Sequence, residues 1–206
     1  MLLKGLGITI ALGGISIIFG LVLGLTFALV RIYGHPILKM LAGIYINILR
    51  SIPILVLLIL VYYALPFVGI RLSAFSASVL TLSLVSSAYT AEIFRSGIEA
   101  IPQGQIEAAM ALGFRFIPTL RDVILPQAVK IVIPPLTSNC INVVKDTALA
   151  SVVAMPDLLK QATQAQALAA NPTPLIGAAL MYLIMLLPLV SIVGRLERYL
   201  TVSHTR

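Results

Sequence analysis

The chain reads as an all-α transmembrane protein with about five spanning helices and a polar loop between the third and fourth. Three observations predict this. Hydrophobic residues fill 60% of the 206 positions and charged residues only 10%, where soluble domains run at about 45–50% apolar and about 25% charged. Long apolar runs alternate with short polar stretches, and the mean hydropathy is +1.08. Basic residues gather on one set of connections. A water-soluble enzyme and a disordered linker are excluded at once.

A spanning helix needs about 20 predominantly apolar residues. Runs at 5–30, 52–70, 72–94, 131–155 and 174–194 meet that need. The first begins almost at Met1, but its apolar stretch exceeds the roughly 7–15 residues of a signal-peptide core and no small-residue cleavage site follows, so it is expected to stay as a span. Gly20 and Gly24 on it have the small-xxx-small spacing of closely packed helices. Arg50-Ser51-Ile52-Pro53 marks entry to the second run, with proline suited to a first-turn position and Arg50 read as snorkelling to the headgroups. On the third, Tyr89 and Glu92 share a helical face, with Ser96 beyond. On the fourth, Ser138, Asn142 and Asp146 recur every four residues beside Asn139, one polar stripe on an otherwise apolar helix. The stretch 156–174, rich in Gln, Ala and Asn, is expected to form an Ala-rich helical shoulder before the last run.

Net charge is +7, from 14 basic and 7 acidic residues. No basic stripe interleaves with aromatics, so nucleic acid is not the partner this charge implies. Five spans place the termini on opposite sides. With the C-terminus inside, Arg31, Lys39, Arg50, Arg95, Arg115, Arg121, Lys130, Arg195, Arg198 and Arg206 are cytoplasmic. Lys4, Arg71 and Lys160 are outside, and Lys145 falls within the fourth run. The positive-inside rule therefore predicts an external N-terminus and a cytoplasmic C-terminus. Cys140 has no disulfide partner and reads as a small core residue. The histidines are His35 and His204, so no metal-ligand spacing arises.

Residues 95–130 differ from the rest. Pro102-Gln103-Gly104, Gly113, Pro118 and Pro126 punctuate the segment, and the text between them predicts short helices over 105–112 and 118–125. Glu107 falls in the first turn, where a negative charge suits exposed N–H groups. Ala108, Ala109 and Ala111 keep the surface low enough for another protein to approach. Gly113 comes where a left-handed terminus is wanted, and Pro118 can open the next helix. A compact helical knuckle should result.

Glu107-Ala108-Ala109, three residues, Gly113, nine residues, then Val123-Ile124-Leu125-Pro126 resembles the EAA signature of bacterial ABC-importer permeases. That family usually has isoleucine where this chain has Val123. Arg50-Ser51-Ile52-Pro53, Ala91-Glu92-Ile93-Phe94-Arg95-Ser96-Gly97-Ile98, Leu125-Pro126-Gln127-Ala128 and Lys145-Asp146-Thr147-Ala148-Leu149-Ala150-Ser151 look like the polar amino acid branch. The resemblance covers essentially the whole chain. Members often carry a longer N-terminal lead-in, so this start is expected to be shortened.

The resemblance implies a type I importer permease fold in a bacterial cytoplasmic (inner) membrane, with the knuckle as a coupling helix on a separate ATPase subunit. Glu107, Ala108, Ala109, Gly113, Leu125 and Pro126 are then the coupling residues. It also implies a second permease subunit, identical or homologous, and an extracytoplasmic amino-acid-binding protein. ATP and Mg would be bound by the ATPase, with no cofactor here and nothing catalytic. The sequence agrees: none of the five lysines follows glycine or precedes Ser or Thr, so the chain has no phosphate-binding P-loop.

Ionisable and polar groups inside spans usually face a bundle interior or a water-filled cavity. Ser86, Tyr89, Glu92, Asn139, Asn142 and Asp146 are therefore candidates for a translocation path, with Ser87 adding a further hydroxyl. An amino acid zwitterion wants donors, acceptors and few fixed charges, with Glu92 or Asp146 facing its ammonium. Interhelical hydrogen bonding, or pairing of Glu92 with Arg95 and of Asp146 with Lys145, is the plainer alternative. A secondary transporter driven by an ion gradient would make Glu92 and Asp146 essential. An intramembrane enzyme would need a nucleophile–base pair or paired histidines, and neither is visible. A regulatory membrane subunit would associate with an ATPase without transport.

Overall fold

A computed structural model describes the backbone of residues 1–202 and side chains through Arg195. His204, Arg206 and the Arg198 side chain lie outside the described residues. Helix is the regular structure found there, with no strand among the described residues. In chain order the helices are α1 (Leu2–Tyr33), α2 (Pro36–Ser51), α3 (Ile54–Ile59), α4 (Ala74–Glu99), α5 (Gln103–Ala111), α6 (Phe116–Pro118), α7 (Leu125–Asp146), α8 (Leu158–Ala169) and α9 (Thr173–Val202).

α1 extends about 48 Å at 1.5 Å per residue, well beyond a hydrocarbon core of about 30 Å. The chain reverses after it at Gly34-His35, and Pro36 opens α2 from a first-turn position where its missing N–H costs nothing. The centre of the bundle is α4, whose Ala, Ser and Thr side chains let neighbours come close. A Cβ at Gly20 of α1 would stand 2.5 Å from Ser86 Oγ, and one at Gly24 would stand 2.6 Å from Thr90 Cβ. On the opposite side, a Cβ at Gly97 of α4 would collide with the Val132 side chain of α7. The paired glycines on α1 thus serve helix packing against α4.

Leu12, Leu58, Leu82 and Val153 form one apolar cluster among α1, α3, α4 and the turn after α7. Ala28, Ile46, Leu49 and Ala88 form another among α1, α2 and α4. α9 lies at the edge, touching α7 through Ile141, Leu186 and Val193 and α8 through Leu158, Ala162 and Ala178. Others of its apolar side chains, such as Ile184 and Leu187, are exposed, as lipid contact requires.

The expected run 52–70 is not a straight helix. α2 precedes it, and the pair Pro36–Ser51 and Ile54–Val68 bends by 100°. The bend falls at Ile52-Pro53, because a residue before proline is driven out of the helical region and Ile52 has φ −89° and ψ 128°. Beyond α3 the winding loosens into a π turn at Leu60–Ala64, then tightens over Leu65–Val68. Leu2–Tyr33, Ala74–Glu99 and Thr173–Arg195 are each long and apolar enough to cross a membrane, and the bent pair makes a fourth. α7 is not among them, since Lys130, two prolines and its asparagines interrupt the apolar run. It starts at Leu125, earlier than the expected 131, and gives way at Thr147 to a 3-10 turn through Val153. The polar shoulder is the helix α8.

Candidate functional site

Two regions gather the residues singled out by the sequence. The first is a cavity of about 590 Å³ between α4, α7 and the α2–α3 bend. α4 supplies Ser86 and Tyr89, four and seven residues beyond Leu82, which also lines it. α7 supplies Asn139, Asn142, Lys145 and Asp146, while the bend supplies Arg50, Ser51 and Pro53. Asn139 Nδ2 donates to Thr90 Oγ1 at 3.2 Å and to Ser86 Oγ at 3.4 Å, tying α7 to α4 along the cavity floor. The Arg50 guanidinium stands 5.5 Å from the Tyr89 ring centroid, a cation–π distance.

Five of the six path candidates therefore line one cavity: Ser86, Tyr89, Asn139, Asn142 and Asp146. Glu92 does not. One turn further along α4, its carboxylate accepts from Arg31 Nη1 of α1 at 2.9 Å and from Arg95, which also bonds Glu99. This is the charge pairing that the sequence left open, with Arg31 as an additional partner from another helix. Ser87 turns the other way, 2.7 Å from the Tyr45 hydroxyl of α2. Ser138 lines a smaller cavity of about 310 Å³ toward α9, which shares Asn142 and Lys145 with the larger one. Lys145 and Asp146 are adjacent but form no ion pair.

Sequence reasoning missed two participants. Arg50, expected among the headgroups, sits at the cavity because the bend turns the end of α2 inward. Thr90, four residues after Ser86, was readable from helical spacing alone.

The second region is the knuckle. α5 ends at Ala111 with Leu112 as its C-cap residue, and Gly113 takes φ +85°. Its N–H bonds Met110 O at 2.9 Å, and the Phe114 N–H bonds Ala109 O at 3.1 Å. That pair is a Schellman termination, closed by the left-handed residue glycine accepts most easily. Glu107 stands in the second turn of α5, not the first, because the helix begins at Gln103. The expected separate helix over 118–125 is not separate either. α6 opens at Phe116, with Pro118 in its first turn, and a π turn at Thr119–Ile124 carries the chain straight into α7. Leu125 and Pro126 accordingly form the first turn of α7.

Ile101, Ile124 and Ala128 form the knuckle's core, and Gln127 Nε2 donates to Gln105 Oε1 at 2.8 Å. Tyr33, at the end of α1, meets Phe116 edge-to-face at 6.1 Å. Ala109 is buried in this support while Glu107 and Ala108 are exposed. Around them, Leu112 is 78% exposed and Ile117 72%, and Met110 and Phe116 are also open. A cluster of exposed apolar side chains beside small residues, held on a rigid base, is a surface made for another protein.

A membrane-embedded helical bundle with a polar cleft, and a firmly held apolar knuckle for a partner, defines a transporter subunit. Residues 16–202 match the family of binding-protein-dependent transport system inner membrane components, and the chain belongs to that family. It is 38% identical over 205 residues to a Rickettsia bellii chain named as a glutamine transport system permease protein, GlnP, covering 98% of this chain and 94% of that one. The arginine transport system permease protein ArtQ of Bacillus subtilis is 38% identical over 201 residues, 97% and 92% of the two chains. A crystal structure of an amino acid ABC transporter with histidines superposes with a TM-score of 0.90 at 36% identity, covering 96% of this chain and 93% of that one. The fold is that of type I ABC importer permeases, and the chain is their non-catalytic membrane subunit.

Proposed function

We propose that this chain forms the membrane path of an amino acid ABC importer and that its knuckle couples the path to ATP hydrolysis on separate subunits. The observation that carries this reading is connectivity. α4 and α7 line the cavity with Ser86, Tyr89, Asn139, Asn142 and Asp146, and the segment joining those same helices is the knuckle. Displacement of α5 therefore reaches both cavity walls through the core of Ile101, Ile124 and Ala128, onto which Ile106 of α5 packs.

The chain crosses the inner membrane five times: α1, the bent α2–α3 pair, α4, α7 and α9. The basic residues gathered on one side, Arg31, Arg95, Arg115, Arg121, Lys130 and Arg195 among them, favour an external N-terminus and a cytoplasmic knuckle. Glu107, Ala108 and Gly113 meet the ATPase, which binds ATP and Mg, while the buried Ala109 seats the coupling helix on its base. Leu125 and Pro126 set the angle at which α7 leaves the knuckle. Asn142 and Lys145 are exposed on the isolated chain, which supports a second permease subunit, identical or homologous, covering that face. An extracytoplasmic binding protein delivers the amino acid. ATP binding draws the two knuckles together and turns the cavity outward, and hydrolysis returns it inward.

The test is uptake of a radiolabelled amino acid panel into proteoliposomes holding the assembled transporter, with the binding protein outside, with and without internal ATP. Uptake should require ATP and fall at least about tenfold in Glu107→Arg, which sets a long cation on the docking surface. Uptake indifferent to ATP would overturn the reading.

A further inference from the structure

The two ends of the bundle differ in charge. α1 reaches the knuckle through Tyr33 and Phe116, so its first turn lies at the opposite end, with α8 and the loop before α4. A Cβ at Gly5 would meet the Asp157 carbonyl oxygen at 2.8 Å and Leu158 Cα at 2.9 Å, which sets Lys4 and Lys160 beside one contact of α1 with α8. Ile8 of α1, Ala74 of α4 and Met155 ahead of α8 share an apolar cluster, which brings Arg71 to the same end. Lys4 and Arg71 are exposed and Lys160 is half-buried. The acids lie elsewhere. Glu92, Glu99, Glu107 and Asp122 are in or beside the knuckle, Glu197 is near the far end of α9, and Asp146 lines the cavity. Asp157 is fully buried and accepts the Leu159 and Lys160 N–H groups. Among the described residues, this end therefore presents three cations with no exposed carboxylate and no ion pair.

The same end holds apolar side chains in the open. Phe67 is 90% exposed on a 3-10 turn that Gly69 closes at φ +86°, and Leu168 is 79% exposed on α8. α8 is firmly seated: Leu158 and Ala162 pack against α1 and α9, and the Leu158 N–H donates to Thr9 Oγ1 at 3.1 Å. Its outward residues Thr163, Gln164 and Ala167 are neutral. A rigid neutral face with two apolar points and a cationic rim suits a protein partner. Resting on the reading of this chain as an importer permease, we infer that the external binding protein docks on this face, and does so by an acidic surface. Exposed cations act mostly on the rate of encounter, over about a Debye length, and salt screens them. Phe67 and Leu168 hold the partner once seated, by leaving water. None of these five residues lies in the motif stretches shared with the polar amino acid branch, which suits recognition of one particular binding protein.

The test uses the permease–ATPase complex in phosphatidylcholine nanodiscs. The probe is the amino-acid-loaded binding protein that supports uptake in proteoliposomes, with rates read by surface plasmon resonance. The wild-type association rate should fall at least about tenfold between about 50 and about 500 mM NaCl. Lys4→Glu, Arg71→Glu and Lys160→Glu together should cut the low-salt rate at least about tenfold in a complex that elutes as wild type does. The corresponding triple glutamine variant should fall between. Phe67→Ala and Leu168→Ala should instead speed dissociation, each at least about fivefold. Association indifferent to salt and to charge reversal would overturn acidic docking. So would reversal that weakens only the hold on phosphatidylglycerol, which would assign the cations to lipid headgroups. Unchanged dissociation in both apolar variants would overturn the anchors. These failures leave the importer reading standing; wild-type uptake that needs no binding protein would overturn that reading and this one together.

Discussion

The Glu92 carboxylate fastens the end of α1 to α4, holding Arg31 at 2.9 Å together with Arg95. Glu92→Gln leaves Arg31 without its counter-charge and Arg95 with Glu99 alone. Because all three groups are about a quarter exposed, water screens part of the loss, and a cost of about 1–2 kcal/mol is expected. Thermal melting of the purified protein should fall while the KM for uptake stays within about twofold; a raised KM at unchanged melting would put Glu92 in the path. Asp157 offers a pH-dependent counterpart. Fully buried ahead of α8, it accepts the Lys160 N–H at 3.0 Å and the Leu159 N–H at 3.3 Å. Burial pushes its carboxyl above the usual range, with those two N–H groups pulling the other way. An acid whose folded pKa is raised binds its proton more tightly when folded, so stability falls as pH climbs from the ordinary carboxylate range through the raised value. Asp157→Asn keeps a capping oxygen and should be more stable than wild type at pH 7, the gap closing toward pH 4 in melting measurements. Helical spacing made Tyr89, Asn139 and Asn142 legible from the sequence. It could not resolve Glu92 or Arg50, whose long side chains choose among partners on other helices.

At the scale of elements, the α1–α4 contact depends on what glycine omits. At Gly24 a Cβ would approach Thr90 Cβ at 2.6 Å and the Ser87 carbonyl oxygen at 2.9 Å, and a backbone atom cannot yield. Gly24→Leu should cost about 3 kcal/mol or more and lower the recovery of folded protein in size-exclusion profiles. Gly14, on the same helix with nothing within 4 Å of its Cβ position, supplies the comparison. Gly14→Leu should leave the profile unchanged; equal damage from both would remove packing as the cause. The small-xxx-small spacing announced this contact. The α2–α3 bend was not legible, because Lys39, Asn47 and Arg50 dilute the apolar signal of α2 and so hid a helix. The loosened turns at Leu60–Ala64 and Thr119–Ile124 have sequences indistinguishable from ordinary helix, so the second knuckle helix was expected to stand alone when it runs into α7.

Over the whole molecule, α4 organises the rest: α1 on one side, α7 on the other and α2–α3 across the cavity mouth. The all-helical fold and the knuckle could be read from composition and motif, since both reflect local chemistry. That Ser86, Tyr89, Asn139, Asn142 and Asp146 line one cavity could not, because it rests on which helix faces come together. The neutral cluster at Glu92 also weakens an ion-gradient mechanism, which would want that carboxylate free to titrate.

The most direct measurement is uptake per ATP hydrolysed by the assembled transporter in proteoliposomes, comparing wild type, Asn142→Leu and Glu107→Arg. If the cavity is the path and the knuckle the coupling, Asn142→Leu should abolish uptake yet retain ATP hydrolysis, while Glu107→Arg should depress both. Normal uptake in Asn142→Leu, or full uptake in Glu107→Arg, would contradict it.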